Sequence, residues 1–382
     1  MSIIARTDNA VLLDPKPAFG DGLHNHQGSW KLRLGEYNLD QPYFWPKRDM
    51  PPRAKRRKTE PSKTETQTEE NFLQLEEYFN QCLKELVDIW PAIKDSISEA
   101  EPPPPLSDSV ESSNMIDFVQ NAELVKVVKS LTFQLDPEQS QKTMILKDTN
   151  SIELPEIYNT IISNSMSQYV TLAVEPGLQR YLIPAGSTFL LGQLDDSMKT
   201  LTSHAHRSSQ YTTLDIYALF EIPLPKLMAT ECIVAVWVTN RPKYKRFLID
   251  KLFPAWDLEL LGEWYWLKMT TAGDPVMPLN STHRKPYELL LVAKRKSGSG
   301  PPIPQKQLFA SLPSRSHSRK PPLNDLFAQY LPTNPRCLEL FARCLTANNT
   351  SWGNECLLFQ HESFFTHVKN DTTEATQSNF ST

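Results

Sequence analysis

The stretch CIVAVWVTN, residues 232–240, is a short run of apolar and β-branched residues that ends in a polar tip. It does not alternate apolar with polar residues, which is typical of a strand buried on both faces. PKYKRFLIDKLFP (242–254) follows with helical spacing, and LELLGEWYWLKM (258–269) and PYELLLVAKRK (286–296) are further extended runs. This succession of strand, helix and strand predicts a parallel or mixed α/β sheet.

Three later segments extend this pattern. KPPLNDLFAQYL (320–331) predicts a helix that begins at its prolines, CLELFAR (337–343) predicts a last strand, and GNECLLFQHESFF (353–365) predicts a final helix. Ligands in such sheets bind at the carboxyl ends of the strands. The residues expected at those ends are polar or basic: Thr239, Asn240, Arg241, Lys268, Lys294, Arg295, Lys296 and Arg343. This rim suits an anionic or nucleotide-like ligand, although basic residues also collect at strand ends because strand ends meet water.

The composition excludes some protein classes. The net charge of -4 gives no general electrostatic attraction to nucleic acid. The five cysteines are scattered and odd in number, which favours a reducing compartment and predicts neither a disulfide framework nor a zinc site. No apolar run approaches the roughly 20 residues of a membrane span, and we expect no membrane association.

The first 66 residues are rich in proline, glycine and polar residues, and we expect little stable core there. Within them, PPRAKRRKTEPSK (51–63) contains a basic cluster. Its members are Arg53, Lys55, Arg56, Arg57 and Lys58. Such a cluster suits an importin groove or nucleic-acid phosphates, and it is also what a solvated basic linker looks like. We expect the nucleus as the location of the protein, with the cytoplasm as a second compartment.

Apolar residues recur every three or four positions from Phe72 to Trp90, which predicts an amphipathic helix over residues 69–90. Its apolar face needs a surface to pack on and is a candidate site for a protein partner. An acidic, proline-rich linker follows at 99–113. We therefore divide the chain into a low-order region (1–66), a helical accessory region (67–170), a main domain (171–368) and a polar tail (369–382).

Six short motifs occur in one order along the main domain. They are WVTNR (237–241), EWYWLKM (263–269), HRKPYELLLVAKR (283–295), SHSRKPPL (316–323), LELFAR (338–343) and SWGNE (351–355). Together they resemble the MT-A family of S-adenosylmethionine-dependent adenine N(6)-methyltransferases, most closely its methyltransferase-like 4 branch. The resemblance covers about residues 187–365.

The resemblance implies a Rossmann-like domain in which the cofactor-binding and catalytic halves are permuted. Matching motif positions imply that Lys320 faces the methionine end of S-adenosylmethionine, that Phe341 and Arg343 line its pocket, and that Asn354 and Glu355 contact its ribose. These roles suit the side chains, because a cation can pair with a carboxylate and a carboxylate can accept hydrogen bonds from two hydroxyls.

The resemblance also implies substrate-side residues for adenine in RNA, of the small nuclear type, or in DNA. Tyr211 would stack on a flipped base, and Lys285 and Pro286 would belong to a second loop over the substrate. The alternative is that Tyr211 is an ordinary surface tyrosine. The strand tryptophans Trp237, Trp264 and Trp266 are more typical of a core. Glu339, a carboxylate inside an apolar strand, should be either paired or functional.

The family's catalytic motif, Asp-Pro-Pro-Trp, does not occur in this sequence. Asp-Pro is found only at Asp14, Asp136 and Asp274, and none of these pairs precedes Pro and an aromatic residue. Twelve residues, DDSMKTLTSHAH (195–206), join STFLL (187–191) to the tyrosine segment, where the resemblance requires an apolar strand and then the motif. We expect one central strand to be missing together with the motif.

Other residues of this segment do not replace the motif. Asp195 and Asp196 lack the rigid proline carbonyl and the aromatic ring, and His204 and His206 have no third ligand nearby for a metal. We expect no metal site. The sequence thus predicts a protein of the adenine methyltransferase family that is inactive in this form. A non-catalytic nucleic-acid-binding or scaffold protein is the alternative, and failure to fold without the strand is a third outcome.

Overall fold

The computed structural model describes residues 2–16, 24–25, 28–43, 63–97, 142–147, 149–158, 160–175, 179–192, 216–281, 284–315 and 319–368. The strands are β1 (Ile3–Arg6), β2 (Ala10–Leu13), β3 (His24–Asn25), β4 (Gly28–Leu32), β5 (Thr143–Ile145), β6 (Thr149–Glu153), β7 (Ile161–Ser163), β8 (Val170–Glu175), β9 (Gln179–Ile183), β10 (Thr188–Leu191), β11 (Ile233–Val238), β12 (Leu258–Lys268), β13 (Tyr287–Arg295), β14 (Lys306–Ser311), β15 (Cys337–Leu340), β16 (Asn349–Gly353) and β17 (Phe365–Val368).

The α-helices are α1 (Lys63–Ile89), α2 (Pro91–Ser96), α3 (Leu154–Ile157), α4 (Leu224–Leu227), α5 (Pro242–Phe247), α6 (Phe253–Ala255) and α7 (Asn324–Phe327). A π-helical turn, Leu248–Leu252, joins α5 to α6. The described residues also form 3-10 helices at Leu34–Tyr37, Ile216–Glu221, Ala328–Tyr330 and Glu362–Phe364. The helix expected to begin at the prolines of KPPLNDLFAQYL begins three residues later, at Asn324.

The largest sheet has six strands in the order β1-β2-β14-β12-β13-β11. β12, β14 and β2 are parallel, whereas β13 is antiparallel to both of its neighbours. Strand β11 is followed by the α5–α6 helical segment, as its sequence predicts. The expectation of a mixed α/β fold is confirmed.

The direction of β13 corrects one expectation about the rim. Lys294 lies opposite Ile233 at the start of β11 and opposite Glu259 at the start of β12. Lys294, Arg295 and Lys296 therefore lie at the amino ends of these strands, away from the expected site. The amino end of β13, with Glu288, lies at the rim instead. An apolar run predicts a buried strand but carries no information on its direction.

The expectation of little core in the first 66 residues is wrong for β1 and β2. Strand β2, AVLL, is buried along its whole length and pairs in parallel with β14. Four residues are too short to show periodicity, and long-range pairing with β14 gives this segment its structure. The basic cluster at residues 53–58 lies outside the described residues.

A second sheet has five strands in the order β15-β16-β10-β7-β5. It combines strands from residues 143–163 with the LELFAR and SWGNE strands, so it crosses the domain boundary expected at residue 171. The helix expected over residues 353–365 is not formed, because β16 runs to Gly353 and a short 3-10 helix covers Glu362–Phe364.

The predicted amphipathic helix is present as α1, and its apolar face packs within the chain. Phe79 is 1% exposed, with ring centroids 5.3 Å from Tyr265 and 4.7 Å from Tyr287. Trp90 donates from Nε1 to the Thr271 carbonyl at 3.3 Å. The domain itself therefore covers the face that we expected to need a partner, and a protein partner at this helix stays a prediction.

Two strand edges are open among the described residues. β11 pairs only with β13, and β15 pairs only with β16. Burial raises the pKa of Cys232, just before β11, and Cys337 at the start of β15 adds to this effect. Lys320 lies 5.2 Å from the ring centroid of Trp237 near the end of β11, and burial, together with Arg343, which follows β15, lowers its pKa.

The open edges leave apolar surface exposed. Leu338 is 42% exposed, and every residue of β11 before Val238 keeps some exposure although all six are apolar. Glu339 lies on the same edge, and although the residue as a whole is exposed, desolvation of its carboxyl raises the pKa to about 7. One edge of each strand thus has no paired neighbour among the described residues, and the expected loss of a central strand stays a prediction, because residues 193–215 lie outside them.

The described residues contain no helix long and apolar enough for a membrane span, and no cluster of potential metal ligands. All five cysteines are free thiols.

Candidate functional site

The carboxyl ends of β11 and β12 meet a linked set of charged side chains. Lys268, the last residue of β12, places its ammonium 2.6 Å from Glu288 Oε1. Lys320 forms an ion pair with the other oxygen of the same carboxylate. Asn240 donates to the carbonyl of Tyr287 at 3.0 Å and fixes the loop after β11 against β13. One carboxylate thus holds two lysines at the rim.

The ammonium groups of both lysines lie over tryptophan rings. The Lys268 ammonium lies 4.8 Å from the ring centroid of Trp266, and Lys320 lies 5.2 Å from that of Trp237. Trp266 is 2% exposed and donates to Ser311 Oγ at 2.8 Å, so it belongs to the core as expected. Cation–π contacts of this kind hold ammonium groups in place.

The ion pairs at the rim favour the charged form of Glu288 despite its burial. Burial alone would raise the pKa of Glu288, but Lys268 and Lys320 outweigh it and lower the pKa. Burial lowers the pKa of Lys320, while Glu288 opposes this effect. The three side chains therefore stabilise one another as an ion-paired group.

A second charged pair lies where β15 and β16 end. Arg343 donates from Nε to Glu355 Oε2 at 2.8 Å, and both side chains are about a quarter exposed. Phe341 has a left-handed backbone, with φ of 59°, and its side chain is 50% exposed. Such strained, exposed residues are typical of functional sites. Gly353 permits this arrangement, because a Cβ there would lie 2.8 Å from the nitrogen of Ala342.

The structure brings most of the predicted cofactor residues to one rim. Lys320 lies near Arg343, and Arg343 pairs with Glu355. Asn354 is exposed beside Glu355. This set offers cations for a carboxylate, a half-buried carboxylate for hydroxyls, and the exposed ring of Phe341 for an aromatic group. These are the chemical groups that an amino-acid nucleoside presents.

The predicted substrate residues are only partly placed at this site. Lys285 donates to the Leu279 carbonyl at 3.2 Å, and burial lowers its pKa while Glu76 of α1 opposes this effect. Pro286 is buried, and its carbonyl accepts from the nitrogen of Lys268 at 2.8 Å. Tyr211, Asp195, Asp196, His204 and His206 lie outside the described residues.

Two residues of this region escaped prediction. Glu288 is the centre of the lysine group, and its signal was available, since it is an acid inside an otherwise apolar strand. Arg319 is 4% exposed, and none of its guanidinium nitrogens has a hydrogen-bond partner among the described residues. Its guanidinium lies 5.0 Å from the ring centroid of Phe359 and 5.7 Å from that of Tyr37. No sequence pattern distinguishes Arg319 from its neighbour Lys320, although the two side chains point in different directions.

Comparison with known proteins gives matches over the same region. Residues 197–355 match the profile of the MT-A70 family. The N(6)-adenine-specific methyltransferase METTL4 of Mus musculus is 34% identical over 278 residues, covering 65% of this chain and 58% of that protein. The N6-methyladenosine RNA methyltransferase MTA1 of Pyricularia oryzae is 38% identical over 221 residues, covering 50% of this chain and 58% of that protein.

A solved structure, that of the M1.HpyAVI–SAM complex, aligns with 38% of this chain and 80% of its own, at 16% identity and a TM-score of 0.28. The chain spans 58% of the length of the mouse and fungal proteins. The family match includes the LELFAR and SWGNE motifs, whose strands β15 and β16 are followed by Arg343 and Glu355. Over residues 197–355 this chain is similar to the MT-A70 family.

Proposed function

We propose that this chain binds S-adenosylmethionine and adenine-containing nucleic acid at the rim but does not transfer the methyl group. The observation that carries the proposal is the pair of open edges on β11 and β15. Family resemblance requires a strand ending in Asp-Pro-Pro-Trp before the tyrosine segment, and the sequence has neither. The relatives' activity on adenine supports the choice of ligand.

The residues of the rim fit the cofactor of the family. Lys320 would pair with the carboxylate at the methionine end, because it is a charged ammonium held at the strand ends by Glu288. Glu355 would accept from the ribose hydroxyls through the oxygen that does not face Arg343. Phe341 would pack on the adenine through its exposed ring. Bound S-adenosylmethionine supplies an activated methyl group.

What the chain lacks is the means to aim the adenine amine. A carboxylate and a proline-fixed carbonyl would accept from the amine and direct its lone pair toward the methyl group. Among the described residues, the rim acid Glu288 is occupied by two lysines and cannot take this role without losing both ion pairs. Binding without transfer is the expected outcome.

Calorimetry with S-adenosylmethionine and a labelled-methyl transfer assay test the proposal together. We expect binding that weakens about tenfold or more in Lys320→Ala, since a charge-assisted hydrogen bond is lost. Lys294→Ala is the matched control, because Lys294 is equally exposed and also ion-paired, with Glu259 at 3.3 Å, but lies at the opposite strand ends.

The transfer assay has separate RNA and DNA arms, each with an adenine-containing oligonucleotide. No transfer above the level of Lys320→Ala is expected in either arm. Transfer above that level would show that the chain is an active methyltransferase. Absence of cofactor binding would favour the alternative that the chain is a scaffold protein that keeps the fold of the family but does not bind its cofactor.

We also propose a nuclear location, on the basis of the basic cluster Arg53, Lys55, Arg56, Arg57 and Lys58. A fluorescent fusion of the full chain should concentrate in the nucleus, and replacement of the five residues by alanine should disperse it. An unchanged distribution would contradict the proposal.

A further inference from the structure

Two aromatic side chains are exposed beside the helical segment that follows β11. Tyr217 is 53% exposed and Phe220 is 39% exposed. Their rings stack with centroids 6.3 Å apart and an interplanar angle of 26°. Both rings contact the buried Phe247 edge-on, at 5.2 and 5.7 Å. Phe247 therefore holds the pair from beneath, while part of each ring meets water.

The helical segment under these rings carries a local excess of positive charge. Residues 241–251 contain five lysines or arginines and one acid, Asp250, although the whole chain has a net charge of -4. Lys243, Arg246 and Lys251 are exposed. Lys245 is different, because its ammonium lies 2.6 Å from Glu263.

The cations lie at positions close to the residue that holds the rings. Lys243 and Arg246 are three positions apart and so share one side of α5, and Lys243 and Lys251 each lie four positions from Phe247. Lys251 also donates to the hydroxyl of Tyr217 at 3.3 Å, and its ammonium lies 5.4 Å from the centroid of that ring. Lys251 thus connects the exposed rings to the basic helical segment.

We propose that Tyr217, Phe220, Lys243, Arg246 and Lys251 form a binding surface for single-stranded nucleic acid. Exposed rings accept stacked bases of any sequence, and adjacent cations neutralise the phosphates between them. The surface begins at α5, directly after the carboxyl end of β11, so a strand bound there runs toward the rim. The inference deepens the proposed function and rests on it for the nature of the partner, but it concerns residues outside the cofactor rim.

Charge and ring exposure together favour this occupant over others. An acidic peptide would use the cations but has no general need for two stacked rings. A second copy of the chain that docked through the same surface would cover the rings but would bring three more cations against these three. Single-stranded nucleic acid is complementary to both features.

The test measures fluorescence anisotropy of 12-nucleotide oligo(U) and oligo(dT) with the full chain across a salt series. These probes contain no adenine, so an adenine site is not required for binding. Lys243→Ala, Arg246→Ala and Lys251→Ala combined should reduce the slope of log K against log salt by about 2, since each single-strand phosphate contact contributes about 0.7. Tyr217→Ala with Phe220→Ala should weaken binding about tenfold and leave the slope unchanged, because stacking is not ionic.

The control replaces Lys142, Lys147 and Lys306 by alanine, which removes the same charge from exposed positions on either side of β5 and at the start of β14. Equal loss in the control and in the triple variant would show non-specific attraction and overturn the inference. So would equally tight binding of poly-glutamate, or a wild-type dimer in sedimentation that Tyr217→Ala with Phe220→Ala converts to a monomer. Absence of oligonucleotide binding by the wild type, with intact cofactor binding, refutes only this surface, and the reverse result refutes only the cofactor site.

Discussion

Arg343 and Glu355 join the ends of two parallel strands, with 2.8 Å between Nε and Oε2. Arg343 follows β15 and Glu355 follows β16, and the two strands pair in parallel from Cys337 and Asn349 onward. The pair fixes the carboxylate at the edge where a ribose would lie. Its geometry therefore depends on both strands keeping their register.

Glu355→Gln keeps the shape of the side chain but removes its charge, which weakens the contact with Arg343 and the acceptor for hydroxyls. We expect the dissociation constant for S-adenosylmethionine to rise about tenfold, which corresponds to ~1.4 kcal/mol. Isothermal titration calorimetry measures it. Glu362→Gln, in the 3-10 helix Glu362–Phe364, is the control and should bind normally. An unchanged affinity in Glu355→Gln would remove Glu355 from the cofactor site.

Gly353→Ala should destabilise the fold, because the new Cβ would lie 2.8 and 2.9 Å from the backbone nitrogen and oxygen of Ala342. Backbone atoms cannot move aside cheaply, and we expect a loss of about 1–3 kcal/mol in the free energy of unfolding. Urea unfolding measures it. Gly35→Ala is the matched control, since nothing lies within 4 Å of a Cβ there. If both variants unfold alike, the close approach of the two strand ends is not what Gly353 provides.

Glu288 should make the stability of the protein depend on acid pH. Its pKa is lowered by Lys268 and Lys320 against the effect of burial. A carboxyl with a lowered pKa contributes stability that is present above its unfolded pKa of about 4.3 and is lost as the pH falls through the folded value. The free energy of unfolding of Glu288→Gln should therefore fall less steeply than that of the wild type as the pH is lowered. At neutral pH this free energy should be about 1–3 kcal/mol lower than in the wild type.

Urea unfolding between about pH 3 and 7 measures this difference. The control is Glu259→Gln, whose pair with Lys294 at 3.3 Å leaves the carboxylate side chain 46% exposed. Exposed pairs contribute about 1 kcal/mol or less. If the free energy of unfolding of Glu288→Gln fell more steeply with falling pH than that of the wild type, the ion-paired arrangement of the rim would be contradicted.

Arg319→Met should leave stability unchanged or raise it. The guanidinium is buried without a hydrogen-bond partner among the described residues, so its desolvation is balanced only by the rings of Tyr37, Phe359 and Phe364. Replacing buried charge by an apolar side chain of similar length often stabilises by about 1–4 kcal/mol. Thermal unfolding followed by circular dichroism measures it. A loss of stability would mean that the cation–π contacts outweigh desolvation.

The central strands could be predicted because their own sequences are apolar runs typical of buried strands. β11 and β12 are long enough apolar runs to identify a buried sheet, and the motifs near Lys320, Arg343 and Glu355 single out residues that the structure brings to one rim. The direction of β13 could not be predicted, because the apolar pattern of a strand is the same in either direction. This is why Lys294 was expected at the wrong end.

Other features depend on contacts between distant segments. β2 is four residues long, and it is a strand because β14 lies beside it. Glu288 becomes part of the site only because Lys268 and Lys320 arrive from two other elements. Arg319 and Lys320 are adjacent in sequence, yet one side chain enters a cage of rings and the other reaches the rim. Such outcomes require the packed structure.

The open edges of β11 and β15 also bear on how the chain folds. Strands β5 to β10, together with the segment that follows β15, form a hydrophobic cluster of their own around Ile162, Leu172 and Phe189. The six-stranded sheet packs in clusters around Leu267, Leu291 and Phe309, and the larger of them also takes in Tyr169 and Leu182 from the other half. No backbone ladder between β11 and β15 couples the two halves among the described residues. Side-chain packing is thus what joins them, so the two halves should unfold less cooperatively than an unbroken sheet would.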